Sequence, residues 1–132
     1  MTQTDLFGKK RISIPDNPTL EKVAEMILNL SEQYPEMLDG NKISEIDRNI
    51  QYVVWMENGL RAILQSDWAT TPQDRINEFE KWHKDSAKCI NSDLLTRARR
   101  YLLEHDLIRV SSEAIRSGER ERNRLSKSFS GR

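Results

Sequence analysis

The chain has 132 residues, 36% of them apolar and 32% charged, with 21 Lys/Arg against 21 Asp/Glu. That size and composition predict one small domain with a modest core and a heavily solvated surface. A single cysteine, Cys89, excludes a disulfide within the chain. No apolar run approaches a membrane span, and the first residues lack the apolar core of a secretion signal, so the expected address is the cytoplasm and no membrane partner is expected.

The zero net charge is unevenly spread. Residues 1–90 carry 11 Lys/Arg and 15 Asp/Glu, a balance of −4, and residues 91–132 carry 10 and 6, a balance of +4. Such asymmetry points to an anion-binding C-terminal end.

Residues 1–17 read as an extended tail, with Pro15 ahead of Asn17-Pro18 and a Lys9-Lys10-Arg11 run. Leu6 and Phe7, side by side in this polar stretch, need an apolar partner. Asn17 as cap and Pro18 at the first helical position open a helix whose buried stripe is Leu20, Val23, Ala24, Ile27 and Leu30. Tyr34-Pro35 ends it, because the residue before proline avoids the helical region. A connector stopped by Gly40 leads to a second helix starting between Asn41 and Ser44. Its apolar face is Ile43, Ile46, Ile50, Val53 and Val54, widened by Tyr52 and Met56. Trp55 falls off that face and asks for a second packing element or an interface. Asn58-Gly59 predicts a stop, followed by a short helical piece over Leu60 to Gln65.

Thr71-Pro72-Gln73-Asp74 is a capped start with the acid in the reciprocal position. Ile76, Phe79 and His83 share one face of this helix, with Trp82 beside them. The next helix begins with Ser92 as cap and Asp93 in the first turn, where the helix dipole favours it. Leu94, Leu95, Ala98, Tyr101 and Leu102 make its apolar face, with Thr96, Arg97 and Arg100 on the other; Arg99 joins Arg97 and Arg100 as a candidate phosphate contact. Residues 111–132 hold Arg116, Arg120, Arg122 and Arg124 with few apolar anchors, and read as a labile helix or a disordered tail.

Two resemblances sharpen this. Gln3-Thr4-Asp5-Leu6-Phe7 resembles the peptide by which bacterial proteins dock on the replicative sliding clamp, although Thr4 stands where that motif most often has Leu. The resemblance implies that Gln3 bonds at the pocket rim, followed by Asp5, and that Leu6 and Phe7 fill the cleft; the other reading folds Leu6 and Phe7 back onto the helices. The Ser92–Val110 stretch, closing on Leu102-Leu103-Glu104-His105-Asp106-Leu107-Ile108, resembles a winged-helix recognition helix and its exit. Asp106 stands where that family has Gly, the inter-helix turn is longer than usual, and no wing hairpin follows. Together the elements resemble small phage-encoded proteins.

Catalytic signatures are missing. His83, Cys89 and His105 lack a zinc spacing, the five glycines form no phosphate loop, and no lysine follows an acid two residues earlier. The expectation is therefore an all-α domain over residues 18–110 with a helix-turn-helix-like C-terminal half, flanked by tails over 1–17 and 111–132. It is not an enzyme and needs no metal or cofactor. The function expected is a DNA-binding accessory factor of replication or DNA processing, phage or mobile-element encoded and recruited to a bacterial sliding clamp. In that role Thr96, Arg97, Arg99, Arg100, Arg116, Arg120, Arg122 and Arg124 meet phosphates. Two alternatives stand beside it: a helix-turn-helix transcriptional regulator, and a protein-interaction module or clamp inhibitor that binds no DNA. A homodimer through Trp55 and Leu103 is a further possibility.

Overall fold

A computed structural model describes residues 2–4, 10–67 and 71–120. Two short strands, β1 (Thr2–Thr4) and β2 (Lys10–Ile12), pair antiparallel with Gln3 opposite Arg11. The helices are α1 (Pro18–Gln33), α2 (Ile43–Trp55), α3 (Arg61–Leu64), α4 (Pro72–Lys84), α5 (Ser92–Glu104) and α6 over residues 112–120. The architecture is all-α, as expected. None of the described helices is long and apolar enough to cross a membrane.

Local signals place most boundaries. The Asn17 side chain accepts from the Leu20 amide at 3.1 Å, and Pro18 opens α1. Thr71 and Asp74 form a complete capping box on α4. At the end of α2 the helical path breaks at Asn58 and Gly59, where Gly59 takes φ +119°, before α3 resumes. The end of α5 is a Schellman close. Asp106 adopts φ +56°, its amide donates to the Leu103 carbonyl, and Leu107 donates to Leu102 at 2.9 Å. The cap of α5 is Asn91 rather than Ser92, since the Asn91 side chain accepts from the Asp93 amide at 2.7 Å.

The core lies where α5 packs on α1 and α2. Val23, Ala24, Ile27 and Leu28 of α1, Ile46, Ile50 and Val54 of α2, and Leu95, Ala98 and Leu102 of α5 are all buried. Burying each Leu or Ile contributes about 1.5–3 kcal/mol, so three interlocking stripes suffice to hold the block. The element paired with α5 is therefore α1 and α2, while α4 packs on α3 and the Met56–Leu60 kink. The two helices read from sequence as a helix-turn-helix pair, α4 and α5, rest on different neighbours.

The segments expected to be loose are partly built in. Lys10, Ile12 and Ile14 donate alternate amides to Asn29, Glu25 and Glu21 of α1 at 2.7–2.8 Å. Two residues of strand advance about 6.8 Å and four residues of helix about 6 Å, so acceptors spaced i, i+4 on an antiparallel helix match every second amide. Ile12 is consequently buried in the core. At the other end Ala114 is fully buried. Ser111 caps α6 through the Ala114 amide and donates to the Gly40 carbonyl. Ser117 accepts from the Ile43 amide at 3.0 Å, supplying the cap that Lys42 does not give α2. The folded unit thus extends through residues 10–17 and 111–120, beyond the 18–110 block expected. Leu6 and Phe7 lie outside the described residues.

Two backbone positions give opposite expectations. Gly59→Ala forces a Cβ onto φ +119°, with Trp82 Cδ1 at 3.4 Å from it, and should cost about 1–3 kcal/mol. Asp106→Gly relieves the left-handed conformation and should stabilise by about 0.5 kcal/mol after the entropy of the freer unfolded chain is counted. Urea unfolding midpoints measure both.

Candidate nucleic-acid interface

With its inner stripe seated, α5 turns Asp93, Arg97, Arg100 and Glu104 to solvent. Among the described residues neither Arg97 nor Arg100 enters an ion pair. Thr96 is half-buried beside them. The exposed face of α5 thus mixes two arginines with two carboxylates, on a helix whose opposite face is fixed in the core.

Arg99 behaves differently from the expectation for it. It is only 7% exposed, and it binds Asp47 of α2 through two parallel hydrogen bonds, Nε to Oδ1 at 2.8 Å and an Nη to Oδ2 at 2.9 Å. A guanidinium buried and satisfied this way is unavailable to a phosphate; Arg99 is a strut between α5 and α2. The signal for this was present in the spacing. Arg99 falls on the stripe Leu95, Arg99, Leu102, and Asp47 falls on the stripe Ile43, Asp47, Ile50, Val54. Opposite charges on two apolar stripes at helical period mark a buried pair.

The remaining candidates divide. Arg116 and Arg120 are exposed on α6. Arg122, Arg124 and the clamp-motif residues Asp5, Leu6 and Phe7 lie outside the described residues, and Gln3 sits in β1 with its backbone in register with Arg11. The charge gradient divides as well. Residues 91–120 carry 6 Lys/Arg and 5 Asp/Glu, a balance of +1, while residues 121–132 carry 4 and 1, a balance of +3. Most of the positive excess therefore follows α6.

Beside the cationic face, the end of α5, the Asp106 turn, α6 and the start of α2 enclose a cleft of about 800 Å³. Leu103, Val110, Ile115 and Ile43 supply its apolar lining, and Arg100, Arg109, Glu104 and Asp106 its charged rim, with Arg99 at its inner wall. Leu103, expected to be outward-facing, packs partly against the core here. A smaller cleft of about 410 Å³ lies between β2, α1 and the kink, lined by Lys10, Lys22, Glu25, Asn29, Glu57 and Asn58 among others.

Trp55 is engaged within the fold. Its Nε1 donates to the Ile90 carbonyl at 2.9 Å, and its ring meets Trp82 edge-on at 5.6 Å. Tyr52 is 62% exposed and does not widen the α2 core face as expected. Cys89 Sγ lies 3.4 Å from His83 Nδ1, and burial raises the thiol above its ordinary range, so it stays protonated at neutral pH. No group of three or more His, Cys, Asp or Glu among the described residues is placed to hold a metal ion.

The strut and the exposed arginines should separate cleanly in stability measurements. Asp47→Ala leaves a buried guanidinium unpaired and should cost about 3 kcal/mol. Arg97→Ala and Arg100→Ala should each stay within about 0.5 kcal/mol of the parent. Chemical denaturation of the three variants checks this. Comparison with protein-family models, curated proteins and solved structures finds no match for the chain.

Proposed function

We propose that this chain is a DNA-binding accessory factor of replication or DNA processing, of phage or mobile-element type, recruited to a bacterial sliding clamp. The observation that carries the reading is the outer face of α5, where Arg97 and Arg100 stand exposed and without ion pairs among the described residues, on a helix locked from behind by Leu95, Ala98, Leu102 and the Arg99–Asp47 strut. Arg116 and Arg120 add exposed cations from α6, and the cationic stretch 121–132, with Arg122 and Arg124, adds charge that can track a phosphate backbone. Contacts of this kind position a protein on nucleic acid without reading sequence.

Recruitment rests on Gln3, Asp5, Leu6 and Phe7. A clamp peptide binds extended, and β1 is the outer strand of its pair. Its release for docking breaks the hydrogen bonds to β2, while β2 remains fastened to α1 through Asn29 and Glu25. The motif can therefore engage a groove while Ile12 stays in the core.

The mixed-charge, apolar cleft beside α5 favours a second reading, a protein-interaction module without DNA affinity, because such a lining suits a peptide. The two readings part on salt. DNA binding followed by fluorescence anisotropy should weaken steeply as salt rises. The log–log slope should fall by about 1 for each of Arg97→Ala and Arg100→Ala. No DNA binding at all selects the interaction module, and a DNA affinity indifferent to salt removes the phosphate-gripping role of Arg97 and Arg100. Binding to purified bacterial clamp should be lost in the Leu6→Ala, Phe7→Ala double variant; equal binding by parent and variant removes the recruitment half.

A further inference from the structure

We propose that the nucleic acid this chain holds is single-stranded and that α2 supplies part of the surface holding it, an inference that rests on the DNA-binding reading of the α5 face. The helices α2 and α5 run antiparallel. Trp55 at the end of α2 donates to the Ile90 carbonyl just ahead of α5, and Asp47 near the start of α2 meets Arg99 in the second half of α5. The residue after each strut partner, Arg48 or Arg100, lies about 100° further round its own helix. In an antiparallel pair these two rotations lead to the same side of the seam. Ile46, Ile50, Leu95 and Leu102 occupy the core side, so Arg48 and Arg100 flank the seam on its outer side, and both are exposed. Like Arg97 and Arg100, Arg48 enters no ion pair among the described residues. One turn on from Arg48 stands Tyr52, 62% exposed, more than any other large apolar side chain among the described residues. The nearby carboxylates are engaged or peripheral. Asp47 is taken by Arg99, Glu45 accepts the Asn41 amide, and Asp93 and Glu104 lie at the two ends of α5.

An aromatic ring among unpaired cations matches a single strand and is idle against a duplex. Duplex bases are paired and stacked inside, so side chains on a broad helical face meet the phosphates alone. A single strand turns its bases out, and a ring can stack on one while arginines take the neighbouring phosphates. Arg48 and Tyr52, at i and i+4, stand about 5–6 Å apart at Cβ, so cation and ring serve adjoining parts of one strand. The seam also argues against the major groove. A helix with its side chains is about 10–12 Å across, close to the width of that groove. Here α2 lies beside α5, tied to it by Arg99 and Asp47. Two helices with axes about 8–10 Å apart are too broad to lie in the groove together. Gln51 and Thr96, half-buried beside the seam, add polar groups that can hydrogen-bond a base edge or a phosphate.

Fluorescence anisotropy of the full chain with labelled oligo(dT) of about 12 nucleotides, and with a labelled duplex of the same length, tests the proposal. The single strand should bind about tenfold more tightly than the duplex. Tyr52→Leu should weaken binding to oligo(dT) by about tenfold and leave the duplex affinity unchanged, whereas Tyr52→Phe, which keeps the ring, should bind as the parent does. Arg48→Ala should lower the log–log salt slope on the single strand by about 0.7. Both positions are exposed, and unchanged circular dichroism melting establishes that the variants are folded. Equal affinity for the two oligonucleotides, a Tyr52→Leu variant that holds oligo(dT) like the parent, or a salt slope unmoved by Arg48→Ala overturns the proposal while leaving DNA binding in place. Binding to neither oligonucleotide overturns the DNA-binding reading and this proposal with it.

Discussion

The Arg99–Asp47 pair sets the rotation of α5, and the rest of the surface chemistry follows from that rotation. A guanidinium placed among buried apolar side chains is costly unless it is met by a carboxylate in fork geometry, and Asp47 meets it with both oxygens. Turning α5 by one residue position, about 100°, would separate the pair and draw Arg100 or Ala98 into its place. The pair therefore excludes alternative seatings more strongly than it adds stability. Leu95 and Leu102 supply burial, and the ion pair supplies direction. Arg97 and Arg100 point outward because Arg99 points in.

The same logic governs the chain ends, where polar side chains on one element satisfy backbone groups on another. Glu21, Glu25 and Asn29 take up the amides of the β2 edge that β1 leaves free, and Ser117 closes the open start of α2. These are hydrogen bonds to groups that water would otherwise have to serve, worth about 0.5–1.5 kcal/mol each. Each also ties a terminal segment to the three-helix core. The cationic face is thereby flanked by ordered structure on the side of α6, while the clamp-like motif begins on the outermost strand.

Much of this was legible locally. Asn17-Pro18, Thr71-Pro72-Gln73-Asp74, Asn58-Gly59 and Asp106 each act within a few residues, through a side-chain cap, a fixed φ or a left-handed backbone, and each element boundary sits at or beside them. The shift from Ser92 to Asn91 at the cap of α5 is a competition between two good capping residues. What was not legible is long-range. Asp47 and Arg99 are 52 residues apart, and Ser117 and the Ile43 amide 74 apart. Spacing alone makes Arg99 look like its exposed neighbours until its position on the Leu95–Leu102 stripe is weighed. In α4 the periodicity groups Ile76, Phe79 and His83 on one face, and that face is exposed: periodicity says which residues share a face, and the packing decides which face is covered. Residues 10–17 read as an extended tail for want of helical periodicity, yet side chains of α1 hold their amides; residues 111–120 read as labile for want of apolar anchors, yet Ser111, Ser117 and buried Ala114 fasten them.

The central claim is that α5 presents Arg97 and Arg100 to a polyanion from a fixed seat. An amide NMR titration of the full chain with a short DNA oligonucleotide tests it most directly. Shifts concentrated on residues 96–100 and on α6, with Asp47, Ile50 and the inner face of α1 undisturbed, are the predicted result. Shifts confined to elements away from α5, or none at low salt, would contradict it.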